Sequence, residues 1–246
     1  MANENVSPRR IAVFDVDRTL LVRTSGEVQL IRFLRKRKMF PILNFPRSVV
    51  WMIRKLRLGF SEAVLRNKVY FSGLNVQEVS SFLPEFFRDY IQPRISARVV
   101  DCMKKLQKNG YEIMLLSGTL DFILDLFVDH LGADFGLGTT LEVREGKFTG
   151  SIVGEYPYFR GKVRALRHYF NGRKIDFHRS FSFADSWADI PLLRLFGHPV
   201  AVNPGRILKR KAKKEGWRVM EDKDANNHNN HQSTMSSRKQ TGECRI

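Results

Sequence analysis

Four short apolar runs, each closing on a polar residue, constrain this fold more than anything else in the sequence. "IAVFD" (11–15) closes on Asp15, "EIMLLS" (112–117) on Ser117, "SFSFAD" (180–185) on Asp185 and "PVAVN" (199–203) on Asn203. Runs of this length with little alternation read as strands buried on both faces, as in a parallel sheet. Helical periodicity fills the intervals. "ARVVDCMKKLQKNG" (97–110) and "LDFILDLFVDHLG" (120–132) each end at a glycine suited to a helix C-terminus. Strand alternating with helix predicts a Rossmann-like, doubly wound α/β sheet, in which ligands bind beyond the carboxyl ends of the strands. The polar closers then collect on one edge.

Other stretches fall outside the alternation. Residues 24–95 carry helical periodicity and separate the first strand from the second. They read as an inserted helical cap, leaving 1–23 and 96–220 as the core. Residues 139–153, "TTLEVREGKFTGSIV", predict a β-hairpin turning at Glu145-Gly146. Residues 221–246 are polar and read as a disordered tail, whose His228 and His231 belong to low complexity rather than to a metal site.

At 246 residues the chain is one large domain or a domain with an insertion. Cys102 and Cys244 lie far apart, so no disulfide framework is expected and a reducing compartment fits. The polar start "MANENVSPRR" has no secretory character. The most apolar stretch, 39–53, is short and broken by two prolines, Asn44 and Arg47. The expected location is the cytoplasm, with peripheral contact at the inner membrane surface as the variant to test. A net charge of +17 predicts attraction to phosphate in some form.

Asp15 and Asp17 end the first strand two residues apart, which puts them on one side of an extended chain. Like charges held close disfavour double ionisation, so the pair calls for a metal, a shared proton or a cation. Elsewhere on the same edge stand Ser117 with Gly118 and Thr119, Lys162, and Asp185 with Asp189.

"DVDRT", "SGT", a "GK" opening a helix and "DSWAD" occur in this order and spacing over residues 10–220, and the chain resembles the haloacid dehalogenase superfamily. Its insertion resembles the cap of the phosphoserine-phosphatase-like branch, subfamily IB. The resemblance implies that Asp15 is a nucleophile forming an aspartyl-phosphate, and that Asp17 is the general acid and base. It implies Mg²⁺ held by Asp15, the Asp17 backbone carbonyl, Asp185 and Asp189. It also implies phosphate contacts from Thr19, Ser117, Gly118 and Lys162, with the amides of Gly118 and Thr119 opening a helix. Lys162 is preferred over Arg160 as the cation. Departures are Ser186 and Ala188 in the last motif, where the family often has Gly and Asn, and Arg18, whose side chain is expected to point away from Asp15 and Asp17. Of the Glu and Arg pattern that recognises phosphoserine, only Glu27 has a candidate.

Between Gln29 and Ser61 the basic residues run from Arg32 to Arg57, interleaved with Phe33, Phe40, Val49, Val50, Trp51 and Ile53, with no Asp or Glu. Two readings stand: a helical cap whose basic face steers anionic substrate, and a segment that rests on anionic lipid. The function expected is a Mg²⁺-dependent phosphatase of phosphomonoesters. The alternatives are a lipid- or glycerol-phosphate phosphatase at the membrane surface, and a catalytically silent basic module. No nucleic-acid module is recognised, and oligomeric state is not legible.

Overall fold

The computed structural model describes residues 8–41, 44–55 and 67–221. The expected tail, with His228 and His231, lies outside the described residues, as does Cys244. The strands are β1 (Ile11–Phe14), β2 (Glu112–Leu120), β3 (Phe135–Arg144), β4 (Lys147–Val153), β5 (Phe181–Ala184), β6 (His198–Val202) and β7 (Arg218–Met220). The α-helices are α1 (Gly26–Lys36), α2 (Asn44–Lys55), α3 (Val76–Phe86), α4 (Ala97–Lys108), α5 (Asp121–Leu131), α6 (Arg160–Tyr169), α7 (Ile190–Leu193) and α8 (Arg206–Glu215).

The strands form one sheet in the order β4-β3-β2-β1-β5-β6-β7. All neighbours are parallel except β3 and β4. Central β1 explains its own sequence, because both its faces are covered. Ala12 and Phe14 belong to one apolar cluster, and Ile11 and Val13 to the cluster on the opposite face, with Ala165, Leu166 and Phe170 of the α6 region. Phe14 stacks on Phe183 of β5 at 4.2 Å between centroids. Each such fully buried side chain contributes roughly 1.5–3 kcal/mol, so the strand ends beside it are fixed in space.

The hairpin β3–β4 turns at Glu145 (φ 50°) and Gly146 (φ 72°), as the sequence predicts. β3 starts before the expected residue 139 because its first residues pair with β2, Met114 opposite Phe135. A second correction concerns β2. The expectation put a helix start at Gly118-Thr119, but the strand runs through to Leu120 and α5 begins at Asp121. A register shift between Leu116 and Leu120 keeps this segment extended. Cys102, buried on α4, is disulfide-bonded, against the expectation of reduced thiols.

Between β1 and β2 the regular elements among the described residues are helical. The chain leaves and returns side by side: the Val22 amide donates to the Arg94 carbonyl, and that of Ser96 to Leu20, both at 2.8 Å. α1 is capped by Ser25, whose hydroxyl accepts from the Val28 amide at 3.2 Å. The hairpin supports this segment from the other side. Gly150, at φ 83°, lies so close to the 68–69 peptide that an added Cβ would come within 2.7 Å of the Val69 Cα. No helix among the described residues is long and apolar enough to cross a membrane.

Candidate active site

The parallel strands β1 and β5 end side by side, with the Asp15 amide donating to the Phe183 carbonyl at 2.9 Å. Asp15 follows β1 directly and Asp185 follows β5 directly, so adjacent register brings the two carboxylates together. Asp189 closes a short 3₁₀ turn (Trp187–Asp189) whose first amides are served by the Ser186 hydroxyl, which accepts from Ala188 at 3.2 Å. One carboxylate oxygen from each of Asp15, Asp185 and Asp189 lies within 4.8 Å of the others, and all three residues are buried. The edge foreseen from the sequence is therefore a cluster of three acids.

Lys162 is the buried cation of the cluster. Its Nζ lies 2.6 Å from Asp15 Oδ1 and 2.6 Å from Asp189 Oδ1, and the residue is 3% exposed. Gly161 explains how it gets there: a Cβ at that position would meet the Tyr156 carbonyl oxygen at 2.0 Å. Only glycine lets the chain pass so close, and the first turn of α6 then aims Lys162 inward. Burial alone would lower the Lys162 ammonium, but Asp15 and Asp189 more than offset it and hold it above the ordinary lysine value. Arg160, by contrast, is exposed and lies over the Phe159 ring at 5.9 Å.

Asp17 is held apart from this cluster by its backbone. Arg18 takes a left-handed conformation (φ 61°), with its amide bonded to the Thr24 carbonyl at 3.0 Å. That turn brings Asp17 Oδ1 to the Gly26 amide at 2.9 Å, at the start of α1. Burial, then the Asp15 charge, pushes Asp17 up to about 6. Asp185 rises to about 7, again by burial first and Asp15 second, and burial also raises Asp189. Thr19 is buried and donates to Asp15 Oδ2 at 3.3 Å. Ser117 is buried within β2, where its hydroxyl accepts from the Thr119 amide at 3.3 Å. The Gly118 carbonyl accepts from Thr139 Oγ1 at 2.7 Å, which fixes that backbone turn.

Two contacts were not legible in the sequence. Arg18, for which the sequence suggested no contact with the site, meets Asp185 Oδ2 with its Nε at 3.2 Å. Glu27, on the first turn of α1, forms a largely buried ion pair with Lys68. Glu27 is close enough to help raise Asp17. The one available signal was an acidic residue just after a capped helix start.

Three comparisons bear on this arrangement. The model of the haloacid dehalogenase-like hydrolases matches residues 12–194, most of the chain. A histidinol-phosphatase of Neisseria meningitidis is 28% identical over 219 residues, covering 86% of this chain and 98% of that protein. A phosphoserine phosphatase of Mycobacterium tuberculosis is 29% identical over 214 residues, covering 85% and 69%. A solved structure from Bordetella pertussis, described as of unknown function, superposes with a TM-score of 0.73 at 26% identity, covering 87% and 99%. An apo phosphoserine phosphatase, 18% identical and covering 86% and 93%, shares the fold at a TM-score of 0.60. The chain belongs to the haloacid dehalogenase-like hydrolases and is an enzyme of their phosphatase kind.

Proposed function

We propose that the protein hydrolyses small phosphomonoesters through an aspartyl-phosphate on Asp15, with Mg²⁺ as cofactor. The observation that carries this is the buried cluster of Asp15, Asp185 and Asp189 around a single lysine. Its donors are all hard oxygens, which suits Mg²⁺, and three close carboxylates against one buried ammonium and the largely exposed Arg18 leave negative charge for a cation to balance. Asp15, Asp185 and Asp189, with the Asp17 carbonyl, would hold the ion. When bound, it would neutralise charge on the transferring phosphoryl oxygens.

The chain's own groups supply the rest. Lys162 orients Asp15 through Oδ1, which leaves Oδ2 to attack phosphorus. The Asp15 O–P bond forms as the bond from phosphorus to the ester oxygen breaks. Asp17, raised to about 6, gives its proton to that oxygen, so the product leaves as an alcohol. In the second step Asp17 takes a proton from the attacking water, and inorganic phosphate is released from Asp15. Ser117, Thr19 and the Gly118 amide are the proposed contacts to the phosphoryl oxygens.

Glu27, paired with Lys68, is close enough to Asp17 to raise its carboxyl, and the proposal puts the departing alcohol on that side. A carboxylate and an ammonium there suit a leaving group that carries charge. Histidinol and serine, named in the two relatives, are both alcohols with an amine on the neighbouring carbon, which Glu27 would face. A glycerol or lipid phosphate is the second reading, favoured by the exposed apolar face of α2 described below. Turnover of histidinol phosphate, phosphoserine, glycerol 3-phosphate, lysophosphatidate and p-nitrophenyl phosphate, each with Mg²⁺ and with chelator, tests the proposal. Chelator-resistant turnover, or none on any ester, would overturn it.

A further inference from the structure

Helix α2 is inverted relative to an ordinary surface helix. Its two most buried positions are polar, Asn44 at 6% and Ser48 at 7% exposed, while Trp51 and Met52 are half-buried beside them. The Asn44 side-chain amide donates to the Ser72 carbonyl. Ser48 Oγ donates to Asn67 Oδ1 at 2.9 Å, and Asn67 Nδ2 returns a bond to the Ser48 carbonyl at 2.7 Å. Its outward positions are apolar: Val49 is 37%, Val50 49% and Ile53 59% exposed. Arg47 and Arg54 are exposed as well. Positions 47, 50 and 54 recur at helical spacing, with 53 beside them, so arginine and aliphatic side chains share one stripe.

A helix on the surface of a lone globule places its apolar stripe against the core and its polar stripe in water. Here the hydrogen bonds of Asn44, Ser48 and Asn67 hold the helix down, and the aliphatic stripe is left outside. The informative deviation is this contiguous apolar patch rimmed by cations. No Asp or Glu occurs between Gln29 and Ser61, and the chain carries a net +17. A second copy would therefore bring like charge onto like charge. A nucleic acid would satisfy the arginines and leave the valines and isoleucine in water. An anionic bilayer takes both, with the aliphatic side chains in the headgroup boundary and the guanidinium groups on lipid phosphates.

We infer that α2 docks the protein on anionic lipid through Arg47, Val50, Ile53 and Arg54. The basic run from Arg32 to Arg57 also includes Arg35, Lys36, Arg37 and Lys38. Arg37 of that run is engaged within the protein instead, ion-paired with Glu85 and lying 4.9 Å from the Phe33 ring centroid. The inference does not rest on the catalytic proposal, since lipid partitioning is read without turnover.

The test is sedimentation of the full chain with phosphatidylcholine vesicles, with and without about a third phosphatidylglycerol, at ~0.15 M salt. Wild type is expected to pellet with the anionic vesicles alone. Arg47→Gln/Arg54→Gln should weaken partitioning by on the order of tenfold or more, and Val50→Ser/Ile53→Ser by at least several-fold. Turnover of p-nitrophenyl phosphate should be unchanged in both, which shows that they remain folded. Arg210→Gln/Lys213→Gln on the basic helix α8 is the control, expected to bind nearly as wild type. Absence of wild-type binding, an α8 variant as weak as the α2 variants, or full binding by Val50→Ser/Ile53→Ser would each overturn the inference. So would a wild-type dimer in analytical ultracentrifugation that Val50→Ser/Ile53→Ser dissolves, since α2 would then face a second copy.

Discussion

The sheet edge and helix α2 both bury polar groups, and they do so with opposite results. At the edge, Asp15, Asp185 and Asp189 surround Lys162, and burial and mutual repulsion hold Asp185 and Asp189 above the ordinary carboxylate range. At α2, Asn44, Ser48 and Asn67 bond to one another and to backbone, with no charge involved. The first arrangement is electrostatically tense and suited to ligands and chemistry. The second is satisfied and serves to fix a helix, freeing its other face for contact. Burial of polar groups is thus not by itself a sign of a site; residual charge is.

The widest separation between the two regions should appear in turnover. Asp15→Asn replaces the nucleophile by an amide of the same shape, and kcat is expected to fall at least about a thousandfold with the melting temperature little changed. Ser48→Ala and Asn67→Ala should leave turnover of p-nitrophenyl phosphate within a few-fold. Steady-state kinetics alongside thermal melts checks both halves.

Stability should separate the regions next. Lys162→Met leaves buried carboxylates without their ammonium, and loss of one partner from such a pair costs about 3–5 kcal/mol. Asn67→Ala breaks neutral hydrogen bonds and should cost about 1–3 kcal/mol. Urea unfolding of the metal-free protein measures both. A larger loss for Asn67→Ala would invert the comparison.

Only the edge should make stability depend on pH near neutrality. The ordinary aspartate value of 3.8 becomes about 6 for Asp17 and about 7 for Asp185. Between those values the folded chain holds protons that the unfolded chain has released. Stability carried by these groups is therefore greatest at the acid end and declines as pH rises from about 4 to about 7. Metal-free wild type should lose more stability than Asp17→Asn/Asp185→Asn between about pH 5 and pH 8, and Mg²⁺ should restore wild type at the upper end. Equal slopes for the two proteins would contradict the assignment.

The smallest expected effect belongs to Arg18. It is largely exposed, so its pair with Asp185 contributes about 0–1 kcal/mol. Arg18→Asn keeps a residue that tolerates the left-handed turn. Melting temperature should barely move, while Mg²⁺ affinity by calorimetry should rise a few-fold, because a competing cation is gone. Weaker Mg²⁺ binding would mean that Arg18 supports the site.

What was legible in the sequence follows the same division. Near-continuous apolar runs closing on Asp15 and Asp185 could be read as parallel strands because both faces of β1 and β5 are covered, and adjacent register then sets their ends together. The turn at Glu145-Gly146 and the glycine after α5 were legible because positive φ leaves a local mark. The extension of β2 to Leu120 was not, since it depends on a register shift against β3. Nor were the pairs Glu27–Lys68 and Arg18–Asp185, which join segments remote in sequence. The periodicity of α2 announced two faces, but periodicity cannot say which face turns inward. That was decided by Asn67, beyond the helix.

The aspartyl-phosphate is tested most directly by where a phosphoryl group rests during turnover. Acid quench of a single-turnover reaction, followed by peptide mass spectrometry, locates it. The phosphoryl mass should fall on the peptide containing Asp15 and be absent in Asp15→Asn; with p-nitrophenyl phosphate, whose leaving group needs no proton, it should accumulate in Asp17→Asn, which lacks the base for the second step. A phosphorylated residue elsewhere, or turnover with no acid-stable acyl phosphate in wild type and Asp17→Asn alike, would contradict it.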